Sequence, residues 1–375
     1  MFHHLSLTVK EMTAPAGYLL AGRSSRRGKP RGRRQVTDFV TDIRVARLGF
    51  FTYLGGTGDP ARVLAETTEL FVAAEELGFD SVWVAQHHFG HVVGRLPSPL
   101  PFLASVAART RRIRLGTAVV ILPTEHPVRL AEDAAVVDLL SGGRLELGLG
   151  SGTDPGVFTA LGYDPERRRE LMRDGLDTLM ASLRGEPLPG GDVVYPPAPG
   201  LDRRVWQGVF GPDRAREAAS AGTHVLLPRA LPSDPRLAER QQADAAIAFR
   251  EAWSRPWPGR VALSRPAYPS RDARTARCEL TEELAFQVAQ ANRISARAGG
   301  PATLTEQEFL DSGVFHAGSV EDVVAGLRAD PAVPLADELI CQVGHIGPGH
   351  AHTLRALELL ATQVAPALGW HPQGD

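Results

Sequence analysis

The 375-residue sequence predicts one α/β domain built as a (β/α)8 TIM barrel with insertions. Three observations carry that prediction. Short apolar runs of strand length recur roughly every 30 residues in the first half, each followed by a helical pattern. The runs lack strict alternation, as parallel strands covered on both sides do. Their ends carry histidines, hydroxyls and glycines, and the C-terminal ends of barrel strands are where catalytic groups project.

The first strand is predicted over 47–53 and the first helix over 60–77. In that helix Val63, Leu64, Leu70, Phe71, Ala74 and Leu77 share a face, and Gly78 supplies the left-handed residue after its end. Strand two, 81–85, stops abruptly at His87, His88 and Phe89. A helix over 98–110 leads to strand three, 113–122, whose tip is Pro123, Thr124, Glu125 and His126. Pro127 opens a third helix, to 140, because proline is tolerated in a first turn. Strand four, 144–149, runs into Gly150, Ser151, Gly152 and Thr153. A Pro/Gly-rich insertion over 185–201 precedes strand five, 205–210; strands six, seven and eight are read at 223–228, 260–268 and 338–343. A long helix and polar loop over 272–315 have the length of a lid or binding element, and 319–328 reads as an additional helix. No linker separates two cores, so 43–370 is read as one domain, its first strand beginning near Arg44.

The first 42 residues differ. Six arginines and Lys29 fall between Arg23 and Arg34 with no acidic residue, among Gly, Ser and Pro, so this arm reads as a disordered, solvated tail. Across the chain a formal net charge of −2 gives no reason to expect nucleic acid or a membrane as partner. An apolar content of 43% suffices for a large core, yet no run reaches the ~18 residues of a membrane span. The two cysteines, Cys278 and Cys341, form no CxxC pair, which argues against a disulfide framework or zinc cage and for a reducing cytoplasm.

The chemistry is read at the tips. His87 and His88 are the candidate catalytic residues, since imidazole exchanges protons near neutrality; no carboxylates at ligand spacing favour a metal there. Gly148 to Thr153 offers bare backbone and two hydroxyls, where an anion or a flat ring can approach closely. Its glycine spacing is not a dinucleotide fingerprint. Gly211, Pro212, Asp213 and Arg214 open the helix after strand five and read either as a phosphate seat or as an ordinary capped helix. Arg229 and Arg265, at strand ends, are placed to reach the same phosphate. His345 and His350 are expected at the same mouth, and Glu125 and His126 are read as capping the third helix, with membership of the pocket as the alternative.

Taken in order, the motifs over 74–89, 116–133 and 139–152 resemble those of the bacterial luciferase-like flavin monooxygenases, and the resemblance runs from about 47 to 368. It implies reduced FMN, or a related deazaflavin, at the C-terminal mouth. Thr117, Ala118 and Val119 are then the cofactor's support, with Ala118–Val119 matching a non-proline cis peptide of the family. Ser151, Gly152, Gly211 and Arg214 are implied as further cofactor contacts. His87 matches the first family histidine, tied there to the flavin's oxygen chemistry, and His88 its neighbour. Two departures stand out. The family's usual Glu before the paired histidines is Gln86 here, and Gly150 and Ser151 stand where luciferases carry a reactive cysteine and an arginine. The resemblance therefore implies the non-luminescent FMN branch: a two-component monooxygenase of a small-molecule substrate, supplied with reduced FMN by a separate flavin reductase, and a homodimer. A deazaflavin-dependent hydride-transfer oxidoreductase and a non-catalytic flavin-binding protein are the alternatives.

Overall fold

A computed structural model describes residues 44–55, 58–90, 94–228, 235–297, 304–313, 315–344 and 346–372; the arginine-rich arm lies outside the described residues. The chain runs β1 (Arg47–Thr52), α1 (Pro60–Glu76), β2 (Ser81–Val84), α2 (Pro99–Ala107), β3 (Arg114–Thr117), β4 (Val120–Ile121), α3 (Pro127–Leu140) and β5 (Leu145–Gly150). Then come α4 (Pro155–Ala160), α5 (Arg168–Leu183), β6 (Val205–Gly208), α6 (Pro212–Ala221), β7 (His224–Leu227), α7 (Pro235–Ala252) and β8 (Val261–Pro269). The last quarter holds α8 (Ala273–Glu279), α9 (Thr281–Arg297), α10 (Glu306–Asp311), β9 (His316–Gly318), α11 (Val320–Ala329), β10 (Glu338–Gln342), α12 (His350–Leu359) and α13 (Ala365–Ala367).

Parallel pairing in the order β10-β1-β2-β3-β5-β6-β7-β8 closes on itself through β8 and β10, which makes the (β/α)8 barrel. All eight predicted strands are present. The third is split into β3 and β4 around the Ala118–Val119 peptide, which is cis. The long helix predicted within 272–315 is α9, flanked by the short helices α8 and α10, and β9 extends the outer end of β8 by pairing Ala267 with His316. Local signals set the helix ends. Asp59 caps α1 by accepting from the Arg62 N–H at 2.9 Å, and Gly78 takes φ +86° just beyond it.

Side-chain parity sorts the strands into two cores. Leu48, Phe50, Val82, Val84, Leu115, Leu145, Leu147, Leu149, Val225, Leu263 and Leu339 point out beneath the helices. Phe51, Trp83, Ala85, Trp206, Leu226, Ala262 and Ile340 fill the barrel itself. The indoles of Trp83 and Trp206 meet edge to face at 5.7 Å.

Below them lies a polar floor. Glu146, buried, takes hydrogen bonds from Arg114, from Arg260 (2.8 Å) and from the Trp206 indole (2.6 Å). Burial alone would raise its pKa, but the Arg260 and Arg114 guanidiniums hold it below the ordinary carboxylate range. Glu338, bonded to Ser81 and to the Trp83 indole, has its pKa pushed up by burial and by the neighbouring Glu146 charge, its hydrogen bonds only partly opposing. The floor and the tryptophans close the bottom of the barrel, so its interior opens at the C-terminal mouth.

Candidate active site

A pocket of about 320 Å³ lies at that mouth. Its walls are strand tips: Phe51 and Tyr53 after β1, Ala85 to His88 after β2, Ala118, Val119 and Ile121 at the β3–β4 break, and Gly150 to Asp154 after β5. Gly208, Phe210, Leu226, Pro228, Ala262, Ser264 and Ile340 complete it.

The histidine tip is tied down by backbone bonds. The Gln86 N–H donates to Val119 O (3.1 Å) and the His87 N–H to Leu96 O (2.9 Å). The chain then reverses through Phe89 and Gly90, both at φ +64°, a conformation costly for a phenylalanine. The His87 ring lies edge to face with Tyr53, centroids 5.5 Å apart. His88 Nε2 is buried and meets no hydrogen-bond partner among the described residues.

The opposite wall is built on glycine. A Cβ on Gly150 would overlap the Val119 side chain, and one on Gly208 would crowd it at 3.2 Å. Bare backbone at both positions lets Val119 settle between them, leaving a low apolar platform at the break. Gly152, at φ +67°, turns the chain away above it.

The structure gathers most of the predicted site. His87, His88, Ala118, Val119, Ser151 and Gly152 all face the pocket. Thr117 does not. It points outward from β3, fully buried, and its hydroxyl both donates to Gly148 O and accepts from the Gly148 N–H, each at 2.8 Å. It bridges β3 and β5 where the ladder is interrupted. Gly211, at φ +82°, begins α6 with no side-chain cap, immediately beyond Phe210 of the pocket. The Arg214 guanidinium is turned along the helix to Glu217.

Three expectations are corrected. Arg265 has outward parity on β8 and is buried against Asp330 at 2.5 Å, so it does not reach the mouth. His350 approaches Glu69 of α1 at 3.5 Å, outside the barrel wall. Glu125 caps nothing: it accepts from the Gln86 amide at 2.8 Å, and His126 sits at the start of α3 without a capping bond. Arg229 and His345 lie outside the described residues. Phe51 and Tyr53 escaped the sequence reading as site residues, although their spacing of two at the end of a strand places both on one face.

A cleft of histidines, glycine backbone and apolar platform at a barrel's C-terminal face is now joined by the family comparison. Residues 47–329 match the family model described as luciferase-like monooxygenase. The chain belongs to that family. It is 41% identical over 128 residues to the 4-hydroxyprotoasukamycin monooxygenase of Streptomyces nodosus subsp. asukaensis, covering 34% of each chain. The crystal structure of the monooxygenase RslO1 from Streptomyces bottropensis superposes with a TM-score of 0.71 at 25% identity, over 85% of this chain and 99% of that one. The FMN complex of the oxygenating constituent of 3,6-diketocamphane monooxygenase, from Pseudomonas putida, reaches 0.72 at 19% identity, over 86% and 98%. The coenzyme F420-dependent tetrahydromethanopterin reductase of Methanopyrus kandleri shares the fold at 0.61 and 20% identity, over 87% and 99%. Sequence alignments cover only part of the curated relatives' length, from 27% to 54% among eight of them.

Proposed function

We propose that this chain is the oxygenating component of a two-component, FMN-dependent monooxygenase acting on a small, largely apolar organic molecule. The observation that carries the reading is the convergence, in one pocket at the barrel mouth, of the His87–His88 tip with the Val119 platform. The lining fits a flavin: the glycines keep the platform low enough for a flat ring, and His88, which lines the pocket, has a buried Nε2 without a hydrogen-bond partner among the described residues. Ala118 and Val119 would support the ring and Ser151 and Gly152 flank it. The uncapped start of α6 at Gly211, with Arg214 released from an exposed and weak pair, would receive its phosphate.

Reduced FMN, when bound, supplies the electrons for activating molecular oxygen. His87, held by Tyr53 and the Leu96 carbonyl, takes up and returns protons at its imidazole. His88 would orient His87 or hydrogen-bond the cofactor, and Phe51, Leu226 and Ile340 would exclude water beneath. No dinucleotide fingerprint stands at a strand tip, so a separate flavin reductase is the proposed source of reduced FMN. The family's FMN-bound relative and named monooxygenases support this reading. The F420-dependent neighbours favour a second one, hydride transfer with a deazaflavin in the same pocket. Val136, Leu139 and Leu140 of α3 are 44%, 54% and 63% exposed at helical spacing, an apolar stripe that supports a homodimer.

Anaerobic titration with reduced FMN and with reduced deazaflavin, followed by admission of oxygen, separates the readings. The proposal expects tight binding of reduced FMN, oxygen uptake slowed relative to free cofactor, and loss of coupled substrate oxygenation in His87→Ala. Selective deazaflavin binding without oxygen uptake would replace it with the hydride-transfer reading.

A further inference from the structure

Gln86 is the most heavily committed polar side chain at the mouth. It is 5% exposed and spends every hydrogen-bonding group it has on three different segments. Its Oε1 accepts from the Ile121 N–H at 2.7 Å, on β4. Its Nε2 donates to Pro97 O at 3.1 Å, in the segment leading to α2, and to Glu125 Oε1 at 2.8 Å, before α3. With its own N–H on Val119 O, the residue joins the histidine tip to the chain immediately after the Ala118–Val119 break.

The bonding partners dictate which atom must stand where. Two acceptors face the Nε2 end and one donor faces the Oε1 end, so only a carboxamide satisfies all three. A carboxylate at 86 would set oxygen against oxygen at both Pro97 and Glu125. In this chain the amide stands at 86 and the carboxylate at 125, and the carboxylate at 125 is the reason the residue at 86 must donate.

We propose that Gln86 and Glu125 form a matched positioning pair that fixes the His87–His88 tip against the Ala118–Val119 platform. Neither residue is a catalytic group; both act by holding the imidazoles in register with the ring-binding wall. The inference rests on the proposed flavin reading only for its consequence, the effect on cofactor affinity. The joint itself is a property of the protein alone. Charged and titratable neighbours around it are His87 and His88 on the same tip, His126 beside Glu125, Arg95 (bonded to Gly58 O) and Asp154 in the same pocket.

The test uses Gln86→Glu, Glu125→Gln and the exchanged double variant, with ¹⁵N-histidine labelling of the full chain. The ring signals of His87 and His88 are assigned from His87→Gln and His88→Gln. In Gln86→Glu the two facing carboxyl groups can bond only while they share a proton. The His87 and His88 signals should therefore stay near their wild-type positions at low pH and move away as pH rises, with reduced-FMN affinity down about tenfold at pH 8, the loss expected for a charge-bearing hydrogen bond. Glu125→Gln, which keeps an acceptor for Gln86, should lose under about threefold. The exchanged pair should abolish the pH-dependent movement and recover most of the affinity. Thermal melts confirm that each variant is folded; if Gln86→Glu is not, rescue of folding by the exchange at 125 is the same result in another form. Ring signals unmoved in Gln86→Glu, or an exchanged pair no closer to wild type than Gln86→Glu, would overturn the pair. Ring signals that behave as expected in a protein that binds no flavin would uphold the pair and overturn the proposed function instead.

Discussion

Replacing His224 should remove a measurable part of the acid sensitivity of this barrel. The residue is 2% exposed at the start of β7. Its Nε2 lies 2.9 Å from Arg203 O and so carries the proton, while Nδ1 accepts the Arg260 N–H at 3.2 Å. The ring is stacked on Trp253 and edge-on to Trp206. Protonation would set a second N–H against the Arg260 N–H, in a buried site already holding that guanidinium. Burial, then Arg260, lower the pKa from 6.5 to about 4, against the pull of Glu146. Between those values the unfolded chain binds a proton that the folded chain refuses, so stability is full above pH 6.5 and falls with pH until about 4. At about 1.36 kcal/mol per pH unit this single ring accounts for up to roughly 3.4 kcal/mol over the window. His224→Gln keeps a donor for Arg203 O but cannot titrate. Guanidinium unfolding followed by tryptophan fluorescence should show the variant less stable than wild type at pH 7.5, with the gap shrinking by roughly 3 kcal/mol toward pH 4. His316, also lowered to about 4 mainly by burial, supplies much of the limb that remains. Parallel pH profiles for wild type and variant would refute the reasoning, because they would mean that His224 titrates alike in both states.

Other perturbations report on the mouth and the outer wall. A Cβ on Gly148 would collide with the Thr117 carbonyl, which is backbone and cannot swing aside, so Gly148→Ala should cost about 3 kcal/mol or more in urea unfolding. Arg214→Ala should weaken FMN binding about tenfold and leave riboflavin binding unchanged, by fluorescence titration; equal loss for both would remove Arg214 from the phosphate. Leu139→Arg with Leu140→Arg should convert the proposed dimer to monomer by light scattering, since the stripe is exposed and its loss strands no buried group. Glu146→Gln should destabilise by about 3–5 kcal/mol, because it leaves the Arg114 and Arg260 charges underpaired in the floor.

Much of this molecule was legible in the chain. Each strand is a local apolar run, each tip a local break in it, and helix ends such as Asp59 with Pro60 and Gly78 are written in neighbouring residues. That is why eight strands and the tips carrying His87, His88, Ser151 and Gly152 were legible in the sequence, while Val119 was named only through the family resemblance. What sequence left open was phase and partner. Arg265 read as a strand-end cation for the mouth, yet it lies outside on Asp330, while Arg260, an odd number of residues before it, lies inside on Glu146. Thr117 is one residue from the pocket and faces away from it for the same reason, since a strand turns successive side chains to opposite faces and the chain alone does not say which face is in. Gln86 and Glu125 stand 39 residues apart and meet only because β2 and β3 are neighbours in a closed barrel. Local chemistry is set by adjacent residues; the identity of a buried group's partner is set by closure of the sheet, and only the tertiary structure supplies it.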